Sequence, residues 1–410
     1  MVKNYSANTF VSIDVGTTKI CVLVAQAIEN EFTILGIGKA PSDGLKKGVV
    51  VDVAKTIHSI KTAVKEAELM AGLTIESACV GISGGHIHST NSHGVVPIKH
   101  GQISSYDIAS ALAAAKAIPI PEGQQILHVL PQYFIIDSRE KVQNPLGMHG
   151  VRLEVQAHII MGAIASVQNL IKCCQLAGVT VSDIILEQLA SADAVLSPDE
   201  KEIGVAVLDI GGGTSDLALY QNNSIRHTMV LPVAGNHFTN DLAVGLHTTL
   251  KDAERIKKEI GIVSSLFLDD ARYINVEHIG KDGSYQTTQK IIMRILQSRA
   301  KELFSLIHEE ISTKHLEPFM PSGLVITGGG SLLCGAKELA QDIFKVPVRI
   351  GRPCSGSNMP ESLNSPIYAT GYGLIVHMCK LKSDVLQDLS TGPMVKRVYL
   401  RMKSWVSDFF

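Results

Sequence analysis

No sign of charge dominates this sequence. Its 37 Lys and Arg stand against 39 Asp and Glu, a formal net charge of −2, which gives no ground for a general nucleic-acid binder. Cysteine is sparse, with seven residues in an odd count and no regular spacing. Cys173 and Cys174 are neighbours in a helical pattern, which is poor geometry for a bridge. A reducing compartment is therefore expected rather than a disulfide framework. No apolar run is long enough to span a bilayer, and the opening MVKNYSANTF holds no apolar segment of the secretory kind. The expectation is a cytoplasmic protein that can still touch a membrane. What is present is bulk: 410 residues, 45% hydrophobic, enough for a sizeable core divided among two to four units.

Two stretches carry the same text. Residues 11–24 read VSIDVGTTKICVLV and residues 205–220 read VAVLDIGGGTSDLALY. Each is an apolar run, an Asp, one further residue, a Gly- and Thr-bearing break and a second apolar run, with Asp14 and Asp209 195 positions apart. Apolar runs flanking a glycine break predict two adjacent strands with a tight turn. Glycine tolerates the positive φ such a turn needs, and successive N–H groups aimed at one point form an anion nest. Thr17, Thr18 and Thr214 add hydroxyls. An Asp beside a phosphate is repulsive unless a divalent cation lies between them, and Mg²⁺ favours carboxylate, water and phosphate oxygens. One hairpin from each half would grip a nucleotide's phosphates from two sides.

The rest of the chain alternates. KTIHSIKTAVKEAELMAG predicts an amphipathic helix ending at Gly72. Residues 84–163 change texture, with scattered His and Pro, short strands such as ILHVLPQYFIID and a helix around DIASALAAAKAI, as expected of an inserted unit. SVQNLIKCCQLAG reads as a helix ending at Gly178, and VSDIILEQLASADAVL as a strand running into a helix. Residues 232–304 contain helices, including DAERIKKEIG and a long one from about Gln289. LVITGGGSLL reads as strand, glycine turn and helix, VPVRIGRP as a strand, and ATGYGLIVHMCK as a helix returning to the first half.

Several motifs bear on chemistry. Gly328, Gly329 and Gly330 would let backbone approach a flat adenine. Glu254 and Lys257, one helical turn apart, either hold ribose and purine or form an ordinary ion pair. Glu187 follows a strand and begins a helix; it either orients a water towards a terminal phosphate or is a capping or salt-bridged residue. His86, His88 and His93 lack the further ligands a metal site needs, so they read as surface histidines. At the end, Val395, Val398, Tyr399, Met402, Trp405, Val406, Phe409 and Phe410 follow helical spacing, while Lys396, Arg397, Arg401 and Lys403 fall mostly on the other side. Such a helix is about 24 Å long. A basic, aromatic amphipathic helix behind a polar segment is expected to lie in a membrane surface; the alternative is a helix that docks on its own domain or on a partner. Its four cations contribute about 4 kcal/mol at an anionic leaflet, so single copies bind reversibly and assembled copies bind through avidity.

The two hairpins and the TGGG turn resemble the phosphate and adenosine motifs of the actin, sugar-kinase and DnaK-type chaperone superfamily. GISGGHI, LHVLPQYFIID, NPLGMHGVRLEVQAHII, RHTMVLPVAGNHFTNDLA, LVITGGGSLLCG and the basic terminus resemble, more closely, the bacterial cell-division FtsA family. That resemblance implies an α/β, actin-like fold with two duplicated core domains facing across a nucleotide cleft. The first core would be 1–83 with 164–197 and about 355–380, the inserted subdomain 84–163, and the second core 198–231 with 305–354. Residues 232–304 would form a further subdomain, 381–394 a linker and 395–410 the membrane helix. ATP and Mg²⁺ are the implied cofactors. Asp14, Gly16, Thr17, Thr18, Lys19, Asp209, Gly211, Gly212, Gly213 and Thr214 would serve phosphates and metal, with Asp14 and Asp209 acting through water. Glu254, Lys257 and Gly328 to Gly330 would serve adenosine. Implied partners are the C-terminal peptide of the tubulin-like protein FtsZ, with Lys290, Arg294 and Arg299 as candidate contacts, further copies of the chain in a filament, later division proteins and an anionic membrane at the septum. Turnover of ATP, if any, would be slow. The rival readings are a pilus-assembly ATP-binding protein and a small-molecule kinase of the same superfamily.

Overall fold

The computed structural model describes residues 8–28, 31–280, 283–353 and 359–389. Two five-stranded sheets have the same plan. In the first, β1 (Thr9–Val15), β2 (Lys19–Ile28) and β3 (Glu31–Pro41) form an antiparallel meander, and β6 (Ser77–Ile82) and β11 (Thr180–Leu186) add on the other side of β1, in parallel, giving the order β11-β6-β1-β2-β3. In the second, β12 (Val205–Ile210), β13 (Ser215–Gln221) and β14 (Ser224–Leu231) form the meander, and β17 (Leu324–Thr327) and β18 (Val348–Ile350) add in parallel beside β12. The repeat seen in the sequence is thus a repeat of topology. Asp14 faces Cys21 across its hairpin, and Asp209 faces Asp216 at the corresponding position.

The inner strands are apolar on both faces because both faces are covered. Helix α1 (Val53–Ala71) packs on β2 and β3. Its N-cap Asp52 accepts from Lys55 N–H, and it stops at Gly72, whose φ of 68° is left-handed. Helices α3 (Ile164–Leu176), α4 (Glu187–Val195) and α10 (Ala369–Leu389) complete the first half. Cys173 and Cys174 are buried free thiols on α3. α4 touches β6 and β11 of one sheet and β12, β13 and β17 of the other, so it is the layer the halves share. α10 lies on α4 and on β1, β2 and β6, with Gly373 set so close to α4 that a Cβ there would clash with the Ala190 carbonyl. The helix runs on to Leu389, into the start of the stretch read from the sequence as linker. The amphipathic segment 395–410 lies outside the described residues.

The second half is filled by α5 (Pro198–Ile203), α6 (Gly235–Gly245), α7 (Leu250–Ile260), α8 (Gln289–Thr313) and α9 (Ala336–Phe344), around a core that includes Leu208, Leu242, Leu296, Leu303 and Phe304. α8 begins at the residue the sequence pointed to. A two-stranded ribbon, β15 (Tyr273–Glu277) with β16 (Ser284–Thr288), which was not singled out from the sequence, lies between the helices expected of this region. The TGGG turn leads into a single 3₁₀ turn, Gly329–Leu332, before α9.

A small antiparallel ribbon, β4 (Leu45–Lys46) with β5 (Val49–Val50), projects between β3 and α1. The inserted unit is a four-stranded antiparallel sheet of β7 (His88–Pro97), β10 (Arg152–Ala163), β8 (Gln124–Ile136) and β9 (Lys141–Val142), covered by α2 (Ser105–Lys116). It has its own small core around Ile103, Phe134, Leu153 and Val155. ILHVLPQYFIID, expected as short strands, is one strand with a bulge: Gln156 pairs with Tyr133 and Ala157 with Pro131, which leaves Gln132 out of the ladder. Proline has no N–H to donate there, and the bulge re-aims its neighbour. Gln132 Nε2 donates to the Ile225 carbonyl at 2.9 Å and the Arg226 carbonyl at 3.2 Å. Ser89 Oγ donates to the Thr228 carbonyl at 2.9 Å, and His158 Nε2 meets Thr228 Oγ1 at 2.9 Å. The inserted sheet therefore hangs from the first half and docks on β14 of the second. Among the described residues, no helix is long and apolar enough to cross a membrane.

Candidate functional site

The two glycine turns meet. In the first, Gly16 N–H donates to the Lys19 carbonyl at 3.1 Å; in the second, Gly211 N–H donates to the Thr214 carbonyl at 2.9 Å. Each turn thus closes on itself and leaves the N–H groups at its tip free. Those of Thr17, Thr18, Gly212 and Gly213 donate to no acceptor among the described residues. The tips are in contact: a Cβ on Gly212 would strike Thr18, and one on Gly213 would strike the Thr17 side chain. Glycine is required here for close approach rather than for its φ.

Below the tips are four carboxylates. Asp14 and Asp209 stand next to last in their strands and are each 7% exposed. Lys19 Nζ lies 3.7 Å from Asp14 Oδ2 and donates to the Ile367 carbonyl at 2.5 Å. Ser191 Oγ on α4 donates to Asp209 Oδ2, as does Thr370 Oγ1 on α10 at 3.0 Å. Asp216 accepts from Ser83 Oγ at 2.5 Å and from Thr214 Oγ1 at 2.9 Å. Glu187 opens α4 and borders a small enclosed cavity with His86, Ser83 and Gly81. Burial pushes the Asp14 carboxyl up, Lys19 pulls against it, and Asp209 adds to the rise. Burial also raises Asp209, against its hydrogen bonds from Ser191 and Thr370. Asp216 is pushed up to about 7, chiefly by burial and then by Asp209, against the Ser83 bond. Glu187 is held well above the usual range by burial and by Asp14, Asp216 and Asp209. A buried acidic floor with one lysine is short of positive charge, and such clusters mark functional sites.

The adenosine candidates fall beside the same loops. Gly328, with φ 77°, sits where a Cβ would strike Asp209, and Gly330 sits against Ile210. Gly235 N–H donates to the Gly211 carbonyl at 3.0 Å, and Lys257 Nζ donates to the Gly235 carbonyl at 3.1 Å. Glu254 is 2.6 Å from Lys257 and accepts from the Thr239 hydroxyl, so the pair is an ion pair that ties α7 to the residues beside the second glycine turn. Other candidates are not brought together. Lys290 and Arg294 share the exposed side of α8, but at about 100° per residue Arg299 lies half a turn round from Lys290. Arg299 is held by both oxygens of Asp241, at 2.6 and 3.0 Å. Of the three histidines, His88 and His93 are exposed as expected and His93 meets Glu154 at 2.9 Å. His86 departs from the surface reading, since its ring nitrogens are buried and have no hydrogen-bond partner among the described residues.

Ser83, Ser191, Thr370 and Asp216 were not singled out from the sequence. Asp216 had a local signal, lying two residues past Thr214 in the second hairpin. The hydroxyls had none. Ser83 and Asp216 are 133 residues apart, and Thr370 and Asp209 are 161 apart.

Comparison with known proteins agrees with this architecture. Residues 206–373 match the family model described as cell division protein FtsA, and residues 84–161 match the SHS2 domain inserted in FtsA. Cell division protein FtsA of Pseudomonas aeruginosa is 41% identical, covering 99% of this chain and 99% of that protein. The Bacillus subtilis protein of that name is 36% identical over 90% of this chain and 83% of its own length. The Escherichia coli K12 protein is 33% identical over 92% and 91%. Among solved structures, a PilM–PilN type IV pilus biogenesis complex aligns with a TM-score of 0.66 at 17% identity, covering 90% of this chain and 98% of that one. MreB5 of Spiroplasma citri bound to AMPPNP aligns with a TM-score of 0.59 at 16% identity, covering 94% and 100%. At such identities the structural likenesses establish the actin-like fold alone. The relatives, alike along nearly their whole length, establish more: the chain belongs to the FtsA family of actin-like cell-division proteins.

Proposed function

We propose that this chain binds ATP between its two halves, polymerises, and holds FtsZ filaments at the inner face of the cytoplasmic membrane during division. The observation that carries the reading is the meeting of two like glycine turns, one from each half, over three buried carboxylates, Asp14, Asp209 and Asp216, and the half-buried Glu187. The residues fit a polyphosphate and a divalent cation. Free N–H groups at Thr17, Thr18, Gly212 and Gly213 suit phosphate oxygens. Among the described residues no three His, Cys, Asp or Glu side chains are grouped to hold a metal by themselves. A magnesium ion would therefore take water and phosphate as its ligands, with Asp14 and Asp209 holding it through water. When bound, it would supply the positive charge this floor lacks. Glu254, Lys257 and Gly328 to Gly330 would bound the nucleoside end, and Glu187 would orient a water for slow hydrolysis.

The halves share α4, and α10 bonds into both. Occupancy of the seam would fix their relative tilt and so favour one polymer contact. Polymer would multiply the weak affinity of the basic amphipathic segment 395–410 for an anionic leaflet. Residues 232–304, with Lys290 and Arg294 on one exposed helix side, would receive the FtsZ peptide. Later division proteins would join through the assembled polymer. The test is co-sedimentation with anionic liposomes in the presence of ATP, comparing the full chain with one ending at Pro393. The full chain alone is expected to pellet. Equal pelleting of both, or of neither, would remove the tail from the account.

A further inference from the structure

The turn joining β4 to β5 breaks a local rule. Lys46 pairs with Val49 across a two-residue turn whose central residues, Lys47 and Gly48, have φ of 51° and 77°. Turns with positive φ at both positions favour Asn-Gly or Asp-Gly, because left-handed backbone strains a residue with a longer side chain. Gly48 follows the rule and Lys47 does not. Nothing nearby compensates. The Lys47 side chain is exposed and makes no hydrogen bond or ion pair with another described residue. Strain kept without a local gain points to function.

The surroundings of the turn supply a reason. Gly48 N–H donates to Thr17 Oγ1 at 3.0 Å, on the first glycine turn. A Cβ on Gly48 would lie 2.8 Å from the Ser83 carbonyl, at the end of β6. A Cβ on Gly213, in the second glycine turn, would lie 3.0 Å from Lys47 Cα. The ribbon tip is thus wedged against both turns at the seam of the halves. Its charge reaches the second half, where the His237 ring at the start of α6 is disfavoured from protonation by burial and then by Arg299 and Lys47. The other lysine here, Lys19, is already engaged by Asp14 and the Ile367 carbonyl. Lys47 is therefore an uncommitted ammonium beside a row of free N–H donors. A lysine on a flexible stem is a point-charge partner for phosphate.

We propose that Lys47 is a further binding residue of this cleft, pairing with the terminal phosphate of a nucleoside triphosphate and so separating triphosphate from diphosphate. The proposal rests on the nucleotide reading above. The experiment is equilibrium binding of ATP and of ADP, each with Mg²⁺, to the full chain and to Lys47→Gln, Lys47→Gly and Lys46→Gln. Lys47→Gln is expected to weaken ATP by about ten-fold or more and ADP by no more than about two-fold, the loss of one charge-assisted contact, while Lys46→Gln changes neither. Lys47→Gly relieves the backbone strain, so without nucleotide it should melt at or above the wild-type temperature while losing the same preference for ATP. An unchanged ATP-to-ADP ratio in both Lys47 variants, with wild-type binding intact, would overturn this proposal and leave the cleft reading standing. Absence of binding by the wild-type chain would overturn both.

Discussion

Asp216 offers the sharpest test of how the cleft floor is built. It is buried, and its carboxyl is raised from the ordinary 3.8 to about 7, first by burial, against its bond from Ser83 and with Asp209 adding to the rise. The folded state therefore holds this proton more tightly than the unfolded chain does. Stability attributable to Asp216 is present below about pH 3.8, is lost progressively as pH rises, and is wholly lost above about pH 7. Roughly three pK units correspond to about 4 kcal/mol at most. Asp216→Asn removes the ionisation and keeps the local bonds: its carbonyl oxygen still accepts from Ser83, and its amide can donate to the Thr214 hydroxyl. With nucleotide and divalent cations removed, the urea midpoint of Asp216→Asn should match wild type near pH 4. It should exceed wild type increasingly up to about pH 7 and hold a constant lead beyond that. A difference that stays flat from pH 4 to pH 8 would refute the reasoning, since it would mean that Asp216 titrates alike in both states.

Gly373→Ala places a methyl group inside the Ala190 carbonyl and must separate α10 from α4; thermal unfolding should show a loss of about 3 kcal/mol or more. Arg299→Ala frees Asp241 and should lower stability by about 1 kcal/mol, because the bidentate pair is only partly screened by solvent. Lys290→Glu with Arg294→Glu, on the other side of α8, should leave melting unchanged and weaken binding of the acidic FtsZ peptide, read by fluorescence anisotropy. Trp405→Glu should abolish liposome pelleting while ATP titrates as in wild type.

The elements that were legible are those written in neighbouring residues. The two hairpins could be read because apolar runs, Asp and glycine stand within fifteen or so positions of each other in both copies, and α1 because Gly72 stops it. The β15–β16 ribbon could not. Its strands are five residues each, and YINVE buries only Ile274 and Val276, too short an alternation to stand out among helices. LVITGGGSLL promised a helix directly after its glycines, yet the chain there makes one 3₁₀ turn and defers α9 to Ala336. The resemblance implied three basic peptide contacts, Lys290, Arg294 and Arg299, but Arg299 turns away to Asp241, a partner 58 positions earlier. Apart from the Thr214 hydroxyl, two residues before Asp216, the hydroxyls on Asp209 and Asp216 come from Ser191, Thr370 and Ser83 in other parts of the chain, and only the folded seam brings them together.

The proposed nucleotide site is shared by both halves. Isothermal titration of Mg²⁺ and ATP into the full chain tests it directly when repeated with Gly16→Val and Gly212→Val, one substitution in each glycine turn, in variants whose circular dichroism matches wild type. One site per chain is expected, lost with either substitution alone. Wild-type affinity in either variant would contradict it, because a site that survives the loss of one turn is not shared between the halves.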